Sequence, residues 1–328
     1  MKKRIFNFVM AGMLTATMLY SCKADDSSVE ETANNQEVVS KGEIITLKSG
    51  VRVKLLDGVY YLSDDIVLSD EQLKSLEDEG HIYSGLTGKL EPEMTVHPCS
   101  GMPLDFEQGI IGTKAVGQYP TPYNMWAMVR YVYGASLSQT QREIMRLAIE
   151  HWEANSNVRF YNATGQPTVD PVYGFAYPYI EFVNGGNVNS SQIGRNANGG
   201  RQELKIQSAS FVFPEVVGAG IHELGHAIGL DHEHNAVNRD SYISLNLNNV
   251  LPEKQYNFDR RTTNYHQIGA VDFNSVMIYD SRAFGKSPGL VVMRKSSDNS
   301  EFDDNSVTSS TDQMWVNGLY LPYIARSD

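Results

Sequence analysis

Cysteine is nearly absent: 328 residues carry only Cys22 and Cys99. That excludes a small scaffold held by several disulfides. Basic residues are also scarce, 27 Lys+Arg against 39 Asp+Glu, for a formal charge of −12. Phosphate backbones are bound by a surplus of Lys and Arg, so a nucleic-acid partner is not expected. Internal repeats and long low-complexity tracts are missing. Hydrophobic residues at 41% and charged residues at 20% are ordinary globular usage, which excludes a wholly disordered, collagen-like or polytopic membrane chain. The length suffices for a substantial core. At roughly 150 residues per domain it suggests about two units, or one large domain with an extension.

Lys2, Lys3 and Arg4 precede a mostly apolar run from Ile5 to Tyr20, the pattern of a secretory signal. The run ends Leu19-Tyr20-Ser21-Cys22, which resembles a bacterial lipobox with Cys22 as the lipid attachment point. Ordinary signal cleavage is the plainer alternative. Lys23-Ala24-Asp25-Asp26-Ser27 resembles a surface-export signal, or else is a solvated tether. The expectation is an exported outer-membrane or cell-surface precursor, touching a membrane only through its lipid.

Charge divides the rest. Residues 23–114 hold 8 basic and 18 acidic side chains, and residues 115–328 hold 16 and 21. The reading is a signal at 1–22, an acidic leader with tether at 23–114 and a body at 115–328. In the leader, Val51 to Val67 predicts short strands around Asp57-Gly58, and Ser69 to Glu79 an amphipathic helix. In the body, strands are expected at Trp126–Tyr133, Val158–Phe160, Tyr179–Val183 and Gln202–Ile206. Ser138 with Gln141 three residues on reads as a capping box opening a helix with Ile144, Leu147, Ala148 and Trp152 on one face. A second helix should start near Pro214. From Asp231 the sequence is irregular and rich in Asn and Asp.

Four of the eight histidines lie between 222 and 234. His222 and His226, four apart on a helix, share a face and can converge on one ion. Glu223 is near enough to reach a water there. Gly229 can take positive φ and end the helix, so that the chain turns and returns His232 as a third nitrogen ligand. Three neutral imidazoles suit a single Zn2+ and leave an open position for water, the mark of a catalytic site.

The full spacing H-E-x-x-H-x-x-G-x-x-H, followed by Ser275-Val276-Met277-Ile278-Tyr279, resembles the metzincin zinc proteases and, within them, the astacin family. Glu233 after the third histidine, Arg239-Asp240, His151-Trp152-Glu153 with Val158-Arg159-Phe160, and Gly199-Gly200-Arg201-Gln202 carry the resemblance across most of 115–328, toward a bacterial, flavastacin- or myroilysin-like branch. Ile278 stands where the family has histidine, and the body lacks the cysteines of animal members.

The resemblance implies an α+β, zincin-like fold: a mixed twisted sheet, a long active-site helix and an irregular C-terminal subdomain, preceded by a small prosegment. It implies an endopeptidase acting on proteins or peptides. Glu223 would be the general base for a zinc-activated water and Tyr279 a ligand that swings off to stabilise the oxyanion. Met277 would be the floor beneath the imidazoles, and Glu233 the acceptor of a new N-terminus or a partner of an imidazole. Strand Gln202–Ile206 is the expected edge for substrate pairing.

Cys99, in His97-Pro98-Cys99-Ser100-Gly101, invites a latency role, since a thiolate can ligate zinc and close the open position. Asp105 is the rival. On that reading the leader is an intramolecular inhibitor that an activating protease removes, with a cut after Lys114 as one candidate. A non-proteolytic, zinc-binding surface adhesion protein is the alternative function.

Overall fold

The computed structural model describes residues 42–82, 115–118, 125–262 and 265–320. In the leader, Asp57 and Gly58 take φ of 50° and 80°, the left-handed pair that a two-residue hairpin needs. They join β2 (Arg52–Leu56) to β3 (Val59–Tyr61), while β1 (Glu43–Thr46) pairs antiparallel along the far side of β2. A short β4 (Ile66–Val67) follows, then α1 (Asp70–Glu79). Helix α1 starts at a reciprocal Ser69–Gln72 capping box and stops at Gly80, whose φ is 76°. Val53, Leu62, Ile66 and Leu76 bury the inner face of this unit.

In the body, β5 (Ala115–Gln118), β6 (Val129–Tyr133), α2 (Gln139–Asn155), β7 (Phe160–Asn162), β8 (Tyr179–Asn184), β9 (Ser190–Gln192), β10 (Arg201–Ile206) and α3 (Pro214–Ala227) follow in order. The capping box of Ser138 and Gln141 opens α2, and Pro214 occupies the first turn of α3, as expected. The strand expected at Val158 begins at Phe160. Arg159 Nη1 donates to the carbonyls of Glu153, Ser156 and Val158, which ties that segment to the end of α2.

One nine-stranded sheet runs β1-β2-β3-β4-β9-β10-β8-β6-β7. Strands β7, β6, β8 and β10 are mutually parallel, and β9 lies antiparallel to β10. The crossover from β6 to parallel β7 is α2, the helical connection that parallel pairing requires. Helices α2 and α3 pack on one another over Ile144, Met145, Ala148, Trp152 and Leu224. Trp152 is fully buried and donates from Nε1 to the Ile221 carbonyl at 3.0 Å. Truncating a core side chain of that size costs about 3–5 kcal/mol.

One expectation is corrected here. Gln202–Ile206 is an interior strand, flanked by β8 and β9. The body's edge at this side is β9, and the leader's β4 pairs with it in parallel, Ile66 with Ser191 and Val67 with Gln192. The cause is the Gly185-Gly186 turn, which returns the chain beyond β10. Ser190-Ser191-Gln192 lacks the alternating apolar pattern that marks a strand.

The C-terminal half is built from short 3-10 turns, β11 (Ile243–Leu245), β12 (Tyr265–Ile268), β13 (Met293–Lys295) and α4 (Ser310–Leu319). Strand β12 pairs with β5 and β11 with β13. Helix α4 had no counterpart in the sequence reading. Its capping-box residue Asp312 is fully buried, accepting from Ser275 Oγ at 2.6 Å, Val276 N at 3.1 Å and Ser309 N at 2.9 Å. It thus clamps the turn before Met277.

Burial lifts the Asp312 carboxyl to about 6 against those hydrogen bonds. A raised folded value means that the unfolded chain ionises first. Asp312 therefore loses stability for the fold as pH rises from about 4 to about 6, by up to roughly 3 kcal/mol. Asp312→Asn removes this dependence. The stability difference between variant and parent, measured by urea unfolding, should climb across that window and level off above it. Parallel curves would refute it.

Candidate metal centre

Helix α3 carries His222, Glu223 and His226, with the two histidines one turn apart. The helix ends in a Schellman motif: Leu230 N bonds the Gly225 carbonyl and Gly229 N that of His226, both at 2.9 Å, with Gly229 at φ 117°. The reversal is pinned to β5 by Gln118 N on the Gly229 carbonyl at 2.8 Å and Asp231 N on that of Val116 at 3.0 Å. Asp231 then accepts the His232 N–H at 2.7 Å and pairs with buried Arg261 at 2.9 Å. That ion pair fixes the backbone at His232 rather than adding much net stability. Met277 packs directly beneath the helix. A Cβ at Gly225 would fall 2.6 Å from its sulfur, so this close approach needs glycine.

The three rings converge. Centroids of His222 and His226 lie 4.7 Å apart, those of His226 and His232 4.6 Å, and those of His222 and His232 5.3 Å. His222 Nδ1 lies 2.8 Å from the Val276 carbonyl and His226 Nδ1 2.9 Å from that of Leu230. A carbonyl only accepts, so each Nδ1 carries the hydrogen and each Nε2 turns a lone pair inward. His222 Nε2 and His232 Nε2 stand 3.3 Å apart, and His226 Nε2 is buried without a hydrogen-bond partner. Lone pairs facing one another in a buried pocket fit a shared cation. The donor atoms of these histidines and of Asp65 all lie within 4.8 Å of one another. The residues present thus fit a zinc ion, with three imidazole nitrogens and one carboxylate as donors.

Glu223 is 2% exposed, and its Oε2 has no hydrogen-bond partner. Burial, then the charge of Asp65, pushes its carboxyl well above the usual value. Tyr279 OH donates to Asp65 Oδ2 at 2.9 Å, with its ring 4.5 Å from that of His232. Burial and then Asp65 hold this phenol protonated.

The acid at the centre is Asp65 of the leader, which sequence reasoning missed. Its Oδ2 lies 3.1 Å from His232 Nε2 and 3.6 Å from His222 Nε2. Burial disfavours its charge, but His232, His222 and His226 hold the carboxyl well below its ordinary range. Its neighbour Asp64 is gripped by Lys254 and by Tyr256 OH at 2.7 Å from the body, and by Lys54 at 2.9 Å from the leader. Asp64 N donates to Asn257 Oδ1 at 2.7 Å, and Arg52 pairs with Asp259. The only signal in the sequence was a pair of acids between predicted strands.

Both oxygens of Glu233 accept backbone N–H groups, from Val116 and Asp272 at 2.9 Å each, and neither bonds an imidazole. His234 is fully buried against His232 and Tyr279, with centroids at 5.0 and 4.2 Å, and both its nitrogens lack partners. Cys22, Cys99, Asp105 and Lys114 lie outside the described residues, as do the expected signal and tether.

Residues 118–321 match Astacin, a peptidase family. Among curated proteins, the chain is 30% identical over 164 residues to Astacin-like metalloprotease toxin 1 of Loxosceles intermedia, covering 49% of this chain and 56% of that protein. It is 31% identical over 169 residues to Bone morphogenetic protein 1 of Xenopus laevis, covering 50% of this chain and 22% of that one. The chain thus spans about half the length of the first relative and under a quarter of the second. Among solved structures it is similar to High choriolytic enzyme 1, a hatching enzyme zinc-protease from the medaka fish Oryzias latipes, with TM-score 0.50 and 26% identity over 60% of this chain and 90% of that one. The family match takes in more than half of the chain and the whole stretch from His222 to Tyr279, and the chain belongs to the Astacin family.

Proposed function

We propose that the body is a zinc-dependent endopeptidase that hydrolyses peptide bonds in proteins, made as a latent precursor whose leader sets Asp65 on the metal site. The observation that carries this reading is the convergence of His222, His226 and His232 on one point beside an unpartnered, buried Glu223. Those three imidazoles would hold the zinc. When bound, it supplies Lewis acidity to the peptide carbonyl and acidifies the attacking water. Glu223 takes the proton of that water and returns it to the leaving amine, a task that a carboxyl tuned upward by burial suits. Tyr279, freed from Asp65, donates its hydrogen bond to the oxyanion. Met277 packs beneath the ligands and takes no part in the chemistry. Strand β9, once β4 leaves it, offers backbone groups to an extended substrate.

In this reading the leader blocks both needs of the reaction. Asp65 completes a four-donor set and so closes the open position, and β4 covers the edge strand. On this reading Asp65 supplies the latency ligand, while Cys99 and Asp105 lie outside the described residues. Export through the segment 1–22, with Cys22 lipidated, and removal of the leader by an activating protease complete the proposal.

The test is casein cleavage by the full chain carrying Asp65→Ala, with and without a chelator. Cleavage should vanish with chelator and return with added zinc. Activity that persists without metal would overturn the zinc assignment, and no cleavage by a folded, zinc-loaded chain even after limited proteolysis has removed the leader would overturn the peptidase.

A further inference from the structure

A cavity of about 370 Å³ opens beside the imidazoles, and Glu223 and His222 line it. Its inner wall is apolar, from Ala219 of α3 and from Val276, Ile278 and Ala283. Acids also line it, Glu215 from the first turn of α3, Asp280, Asp304 and Asp65 of the leader, beside the amides of Asn189 and Asn305 and the rings of Tyr279 and Phe284. No Lys or Arg lines it among the described residues. Glu215 and Asp304 are exposed to solvent. Among the described residues neither carboxylate meets an ion-pair or hydrogen-bond partner, so their charge is not compensated locally.

Asn305 Nδ2 donates to the carbonyls of Phe273 at 3.1 Å and Ser275 at 3.2 Å. That ties the loop bearing Asp304 to the turn before Met277 and holds the acid at the rim. Independently, Glu223 Oε2, buried and unpartnered, faces the same space. The cavity is therefore where a ligand group meets the reactive carboxylate. Buried apolar lining at Val276 and Ile278 beside the exposed acids Glu215 and Asp304 matches the anatomy of a long basic side chain, whose methylenes pack while its charged head stays in water.

We propose that this cavity selects a lysine or arginine side chain flanking the scissile peptide bond, with Glu215, Asp280 and Asp304 as the specificity-determining residues. The proposal rests on the peptidase reading and names its substrate class. Acidic side chains are repelled by the same carboxylates, so selectivity arises from attraction and exclusion together.

The experiment uses the full chain with Asp65→Ala and Glu223→Gln, zinc-loaded. Fluorescein-labelled octapeptides differ only in carrying Lys, Ala or Glu on either side of one central bond, and binding is read by anisotropy. The Lys peptide should bind at least about tenfold more tightly than the Glu peptide at low salt. Glu215→Gln with Asp304→Asn should shrink that gap to about twofold, and Asp304→Lys should invert the order. Equal affinities, no binding, or a gap that ignores these substitutions would overturn the proposal.

Cleavage of the same peptides by the Asp65→Ala chain separates the two readings. Uniform cutting of all three removes the selectivity and leaves the peptidase standing. Preferential binding of the Lys peptide without any cutting removes the peptidase and leaves the pocket.

Discussion

Turnover falls by at least about 10²-fold when Glu223 is replaced by alanine in the Asp65→Ala chain, the usual scale for losing a general acid–base group. Zinc content stays that of the parent, because none of the three imidazoles uses Glu223 for its orientation. The rings of His222 and His226 are held by the carbonyls of Val276 and Leu230, and the backbone of His232 by Asp231. The effect should lie in kcat rather than in peptide binding, since the proton transfer belongs to the transition state. Plasma emission spectrometry of the purified variant checks the metal, and steady-state kinetics on a casein-derived peptide checks the rate. A zinc-loaded variant with near-parental kcat would remove Glu223 from the mechanism.

On the proposed latency, full-length chains carrying Asp65→Ala should cleave protein substrate at least about 10²-fold faster than the parent. The substitution removes the fourth donor from the metal site and the hydrogen bond that Asp65 accepts from Tyr279 OH. A hydrogen bond to a charged group contributes roughly 1.5–3 kcal/mol, a factor of about 10 to 150, and freeing the fourth position adds to it. Lys254→Ala should act in the same direction and more weakly. It removes one of three grips on Asp64 and leaves Asp65 itself in reach of the imidazoles. Leader and body also share β4–β9 pairing and the Arg52–Asp259 pair, so both variants should keep the parent's melting cooperativity. A folded Asp65→Ala chain as silent as the parent would assign latency to strand coverage instead.

The sequence was legible wherever a few neighbouring residues decide the outcome. Ser69 and Ser138 each carry their Gln partner three positions on, and both cap a helix as expected. Asp57-Gly58 makes its hairpin, and Pro214 opens the helix whose four-residue histidine spacing puts two rings on one face. Gly229 ends that helix and brings His232 back. Strand β9 was invisible because a serine-rich, three-residue edge has no alternating pattern. Helix α4 was missed although Ser309 and Asp312 form a capping box like the others.

Local chemistry by itself thus determined the three histidines that converge, the carboxyl of Glu223 beside them and the family they point to. Helical period, caps and turns act over a few residues and leave their mark in the order of the chain. Tertiary structure alone decided which acid faces the imidazoles and which strand of the body meets the leader. Asp65 reaches His232 across 167 positions, and Asp231 finds Arg261 only after the chain has folded back on itself. Such pairings depend on how sheet, helix and leader pack together, and close packing selects one partner from many acids of equal intrinsic chemistry.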